Sequence, residues 1–170
     1  MKVIPTSYYG ITYRSRAEAR WAVVFDELGW RYFYEPEGYA LPSGYYLPDF
    51  YLPHHQAFFE VKGRKPTWEE IKLADQLTAA TGKIVIVSHG PPDHRRSEWD
   101  RDLSVFYPAM SVDDELYADW QEGGFVSGRF KHHPRCSIDL GNLVHLGCTN
   151  DMDWQTAFVR AANHRFGVYT

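Results

Sequence analysis

Cysteine is scarce, with two in 170 residues. That excludes a disulfide framework and leaves one bridge at most, a metal role, or two free thiols. Long apolar runs are missing too. No stretch approaches the ~18 residues that a membrane-spanning helix needs, and Met1-Lys2-Val3-Ile4-Pro5 lacks the apolar segment of a secretory signal, so a cytoplasmic location is expected. Nor is there an excess of positive charge: 18 Lys and Arg against 22 Asp and Glu give a net charge of -4. That argues against binding to nucleic acid by bulk charge alone and leaves local basic patches open. Internal repeats and low-complexity runs are absent. What is present is the make-up of a soluble globular protein, 44% hydrophobic and 24% charged, at a length that suits one ordinary domain with a small annex. Twelve Tyr, ten Phe and six Trp favour strands with aromatic faces.

Residues 90–98 have the Gly, Pro and charged composition of an exposed loop, which sets a boundary between a core at 1–90 and a carboxyl-terminal annex at 91–170. Ala17, Trp21, Val24, Phe25 and Leu28 recur at helical spacing and Gly29 stops them, which predicts a helix over 15–28. Residues 30–35, rich in aromatics and ended by Pro36, predict a strand, as do 45–52 and 57–62, which form a hairpin across Pro53-His54-His55-Gln56. Thr67-Trp68-Glu69-Glu70 is a capping box opening a helix to about Ala80, and the branched-apolar run 83–87 predicts a buried central strand. The expected class is α/β, in the order helix, three-stranded meander, helix, strand. The annex is expected to be β-rich, with strands at 103–107 and 125–131, a short helix or strand at 114–121, and a terminal helix at 154–166.

Pro48-Asp49 is followed, ten residues after Phe50, by Glu60-Val61-Lys62. Side chains alternate along a strand, so Glu60 and Lys62 share a face with origins ~6.6 Å apart, while Val61 enters the opposite packing layer. The hairpin brings Asp49 beside Glu60. Two carboxylates and an ammonium on one face suit a hard cation such as Mg²⁺, whose bound water is a nucleophile toward a phosphodiester. Glu18, about 20° from Phe25 around the helix, leans toward whatever the helix packs on, and a carboxylate there needs a partner.

The helix with Glu18, the strand, Pro48-Asp49, Glu60-Val61-Lys62, and the following helix and strand together resemble the PD-(D/E)xK nuclease superfamily. Residues 13–21 (YRSRAEARW), Tyr34-Glu35-Pro36-Glu37 and Tyr46-Leu47-Pro48-Asp49-Phe50 are similar to those of small phage and actinobacterial members with a helix-borne glutamate. The resemblance covers residues 8–88 and implies a restriction-endonuclease-like core. It further implies Asp49 and Glu60 as ligands of Mg²⁺ or Mn²⁺, with the Val61 carbonyl as another. Lys62 would orient the attacking water or offset charge on the phosphate, and Glu18 would be the helix-borne acid. Gln76 is not followed four residues later by Tyr, so the pattern of the exonuclease branch is missing. The implied activity is a Mg²⁺-dependent DNA endonuclease in a bacterial or phage-infected cell, leaving 5′-phosphate and 3′-hydroxyl ends. The alternatives are a structure-selective junction resolvase acting as a homodimer, and a non-cleaving module that binds nucleic acid or protein.

Arg14, Arg16, Arg20, Arg64, Lys65 and Lys72 lie near this site in sequence and are candidates for phosphate contacts. His54 and His55 are read as plain loop residues, and Glu35 and Glu37 as solvated acids at a strand end. Further on, His133, Cys136, His145 and Cys148 form two His-x-x-Cys pairs, a candidate tetrahedral zinc site.

Overall fold

The computed structural model describes residues 3–93, 103–106 and 151–167, with side chains from 3–93 and 155–167. The zinc candidates His133, Cys136, His145 and Cys148, and the expected elements at 114–121 and 125–131, lie outside the described residues.

Helix α1 (Arg16–Glu27) begins where the Ser15 hydroxyl accepts the Glu18 N–H at 3.1 Å, leaving one fewer unpaired donor in the first turn. It stops at Leu28, followed by Gly29 at a φ of 67°. Helix α2 (Trp68–Thr81) carries both halves of the expected box between Thr67 and Glu70, and ends on Gly82, whose φ of 65° suits a residue without a side chain. A short hairpin, β1 (Thr6–Tyr8) with β2 (Ile11–Tyr13), precedes α1. It was not expected from pattern. Its two-residue turn puts Tyr9 and Gly10 at positive φ, as a primed hairpin turn requires.

The main sheet has five strands: β3 (Phe33–Tyr34), β6 (Phe50–Leu52), β7 (Ala57–Val61), β8 (Ile84–Ser88) and β9 (Leu103–Phe106), ordered β3-β6-β7-β8-β9. All neighbours are antiparallel except β7 and β8, which run parallel because α2 crosses between them. The protein is thus of mixed α/β class. The expected meander survives in shortened form. Strand 30–35 narrows to two residues because Trp30 turns into the core and Glu35 takes a left-handed φ of 44°. Strand 45–52 is broken: Pro48 cannot donate to a ladder, and residues before it form β5 (Gly44–Tyr46), paired with β4 (Tyr39–Leu41) in a separate hairpin. Pro53–His55 makes a single 3-10 turn closed by Gln56, so β7 follows β6 at once.

Alternation along β7 sorts the core into two layers. Ala57, Phe59 and Val61 pack with Trp21, Val24 and Phe25 of α1, while Phe58 packs with Ile71, Ala74 and Leu77 of α2. Residues beyond 90 complete this core. β9 pairs with β8, and α3 (Asp151–Asn163) lays Ala157, Phe158 and Ala161 against α1.

Candidate active site

The register of the β6–β7 pair makes the site. Phe50 pairs with Phe59, so one step outward Asp49 faces Glu60, and alternation turns Glu60 and Lys62 to the α2 side with Phe58. Both carboxylates are buried, Asp49 2% and Glu60 5% exposed. Each leans on the other's strand: the Asp49 N–H donates to Glu60 Oε2 at 3.3 Å, and the Val61 N–H donates to Asp49 Oδ2 at 2.7 Å. The outer oxygens each face a cation. Arg14 Nη2 lies 2.5 Å from Asp49 Oδ1, and Lys62 Nζ lies 2.7 Å from Glu60 Oε1.

Burial, then Glu60, then Glu18 push the Asp49 carboxyl up to about 8, and the Val61 N–H and Arg14 offset only part of this. A carboxyl deprived of water keeps its proton unless positive charge is supplied. Burial pulls Lys62 down, but the Glu60 carboxylate and, further off, Glu70 at 3.6 Å more than compensate, so its ammonium is stabilised. Lys62 is therefore a hydrogen-bond donor at neutral pH, not a base.

Glu18 is buried as well, on the first turn of α1. Its Oε1 accepts the Ser15 hydroxyl at 2.6 Å and its Oε2 accepts the Tyr34 hydroxyl at 2.7 Å and the Arg14 N–H at 3.2 Å. The expectation that it leans inward holds, yet its hydrogen bonds run to Ser15, Tyr34 and Arg14. Glu18 is linked to Asp49 through Arg14 and through its charge.

Several participants were not assigned from sequence. Tyr34 holds Glu18, and burial followed by that hydrogen bond raises its own pKa. Glu35 Oε1 meets Arg14 Nε at 2.7 Å, so it is an ion-pair partner and not a solvated acid. Glu70 uses one carboxylate to close the α2 box, at 2.7 Å from the Thr67 N–H, and to meet Arg64 at 3.0 Å and Lys62 at 3.6 Å. Tyr46 is buried beside Glu60 and Asp49, which, after burial itself, hold its proton on. The capping box was a signal for Glu70. For Tyr34 and Glu35 the signal was their place in the Tyr34-Glu35-Pro36-Glu37 segment at the strand end.

The basic candidates divide. Arg14 is in the site, and Arg64 is at its edge through Glu70. Arg16 and Lys65 are exposed, and Lys72 is exposed over the Trp68 ring at 5.8 Å. Arg20 instead reaches the Ala162 carbonyl on α3 at 3.5 Å. His55 is buried 4.1 Å from the Trp30 ring, and burial followed by the charge of His54 lowers its pKa.

Among the described residues no three carboxylate, imidazole or thiol groups close a tight metal cage. The donor set nevertheless fits a hard divalent cation. Asp49 and Glu60 offer oxygens only and are removed from water, and Arg14 offsets the burial of Asp49 only in part, so positive charge is still wanted there. No protein-family model and no curated protein matches this chain.

Proposed function

We propose that this protein is a divalent-cation-dependent DNA endonuclease with a restriction-endonuclease-like core of the PD-(D/E)xK kind. What carries the reading is the facing pair Asp49 and Glu60 with Lys62 donating to Glu60, at the place in a helix–meander–helix–strand order where that pattern belongs. Asp49, Glu60 and the Val61 carbonyl, with Glu18 alongside, are the groups that would hold Mg²⁺ or Mn²⁺. When bound, the cation acidifies a water and offsets charge on the phosphodiester. Lys62, protonated and held by Glu60 and Glu70, donates to the attacking water or the phosphate. Arg14 and Arg64 contact flanking phosphates. At the second candidate centre, His133, Cys136, His145 and Cys148 bind one zinc. Metal analysis of protein never exposed to chelator should find about one equivalent, and none would remove that centre.

The deciding experiment incubates the protein with supercoiled, linear, single-stranded and four-way-junction DNA, in Mg²⁺, Mn²⁺ or EDTA. Cleavage with either metal and none in EDTA is expected. Undiminished cutting in excess chelator overturns the mechanism, and binding without cutting on every substrate makes the protein a recognition module. Junction-only cleavage by a particle of twice 19.8 kDa identifies a dimeric resolvase.

A further inference from the structure

Three acidic groups of the site, Glu18, Glu35 and Asp49, converge on Arg14. Its backbone N–H donates to Glu18 Oε2 at 3.2 Å and to the Tyr34 hydroxyl at 2.9 Å. Its guanidinium divides between two carboxylates: Nη2 on Asp49 Oδ1 at 2.5 Å and Nε on Glu35 Oε1 at 2.7 Å. The Arg14 side chain is 55% exposed and that of Asp49 3%. A cation that reaches solvent therefore covers the outer oxygen of a buried carboxylate whose inner oxygen is already committed to the Val61 N–H. Any second cation approaching that outer oxygen meets the guanidinium first, and two cations at one carboxylate oxygen repel.

The tether to Glu35 has a different character. Glu35 sits at a φ of 44°, a left-handed conformation unusual for a residue with a side chain, and its N–H donates to the Asp49 carbonyl at 2.8 Å. That bond fixes the Glu35 backbone to the residue whose carboxylate Arg14 covers. Loss of the Nη2 contact with Asp49 leaves Nε on Glu35, so the guanidinium is retained beside the site.

Resting on the nuclease reading, we infer that Arg14 is a built-in counter-cation. It covers Asp49 in the metal-free protein, yields that oxygen when a divalent cation binds, and stays tethered by Glu35 with Nη1 and Nη2 turned to a phosphate oxygen of the substrate. Arg14 and the metal then compete for Asp49 but cooperate on the phosphate. A purely structural arginine does neither.

The test measures Mn²⁺ binding by the full chain without DNA, from the electron paramagnetic resonance of free Mn²⁺ under argon at pH 7.5, 8.0 and 8.5, so that competition by protons at Asp49 is read separately from competition by the guanidinium. Arg14→Gln should bind Mn²⁺ about tenfold more tightly than wild type, because a competing charge is gone. Glu35→Gln should bind it more weakly, because the guanidinium is left to Asp49 alone. Arg14→Lys, with one point charge in place of a fork, should fall between wild type and Arg14→Gln and serves if the glutamine variant is poorly folded. With Mn²⁺ saturating, Arg14→Gln should show a raised KM for DNA. Equal or weaker Mn²⁺ binding by Arg14→Gln overturns the counter-cation role while leaving the nuclease reading intact. Failure of wild type and variants alike to bind Mn²⁺ takes down both.

Discussion

At the scale of single residues the site is governed by the removal of carboxylates from water. Asp49 has an ordinary pKa of 3.8 and is pushed up to about 8 in the fold, by burial first and Glu60 second. A group with a raised folded-state pKa contributes stability below its unfolded value and loses it as pH rises toward the folded value. The metal-free protein should therefore lose stability through Asp49 between about pH 4 and pH 8. Asp49→Asn removes that loss while retaining an oxygen for the Val61 N–H. In EDTA the melting temperature of Asp49→Asn minus that of wild type should grow between pH 5 and pH 8. A pH-independent difference would mean that Asp49 titrates normally. Mg²⁺ should raise the melting temperature of wild type more than that of the variant, since binding to the native state stabilises it. Tyr34→Phe makes a neighbouring test, because it deletes the 2.7 Å donor to Glu18 and leaves a buried carboxylate oxygen with only the Arg14 N–H. It should cost about 1–3 kcal/mol in chemical denaturation. No measurable cost would show that water replaces the hydroxyl.

Elements act by presenting these residues in register. Helix α2 does more than cross between parallel strands. Its capping glutamate, Glu70, also lies 3.6 Å from the Lys62 ammonium, so the helix start and the site share a carboxylate. Thr67→Ala removes the hydroxyl that accepts the Glu70 N–H and should cost about 1 kcal/mol. If Glu70 also steadies Lys62, cleavage by Thr67→Ala at a temperature well below melting should fall severalfold. Unchanged turnover would make the box purely structural. Much of this layer was legible in the sequence. Ser15 and Thr67 announce helix starts, Gly29 and Gly82 their ends, and the branched-apolar run at 83–87 a buried strand that is inner, though not central, in the sheet. Glu60 and Lys62 on one face, with Asp49 opposite, followed from period-2 alternation and a short connection. What could not be read depends on contacts remote in the chain. The conformation of Glu35 that aims its carboxylate at Arg14 is one such feature, whereas Pro48, which splits one expected strand, is a local signal in the sequence itself. Arg20 shows the limit of proximity in sequence: one turn from Arg16 on α1, it is drawn to α3, 142 residues away.

The whole molecule places a polar, charge-dense site beside two apolar layers that meet at the sheet. Glu60 is stable where it is because Phe58 and Phe59, immediately before it, are 2% and 1% exposed and bury opposite faces of β7. The α1 layer depends on a helix from the far end of the chain. Ala157, Phe158 and Ala161 of α3 are almost wholly buried against α1, and the Phe158 ring meets the Trp21 indole edge-on at 5.6 Å. Trp21 in turn packs on Phe59 at 4.6 Å, one residue before Glu60. Phe158→Ala leaves a cavity at the middle of this chain of rings and should cost about 3–5 kcal/mol. A loss of that size is a large share of an ordinary domain's stability. It should lower the melting temperature of the entire molecule in one transition, with helix and aromatic signals falling together. Phe158→Leu, which refills part of the cavity, should recover much of it. Two separate transitions in wild type, with only one moved by Phe158→Ala, would show that α3 and the sheet are not a single cooperative unit. Below the new melting temperature Mn²⁺ affinity should stay close to that of wild type, because no group that faces Asp49 or Glu60 has changed.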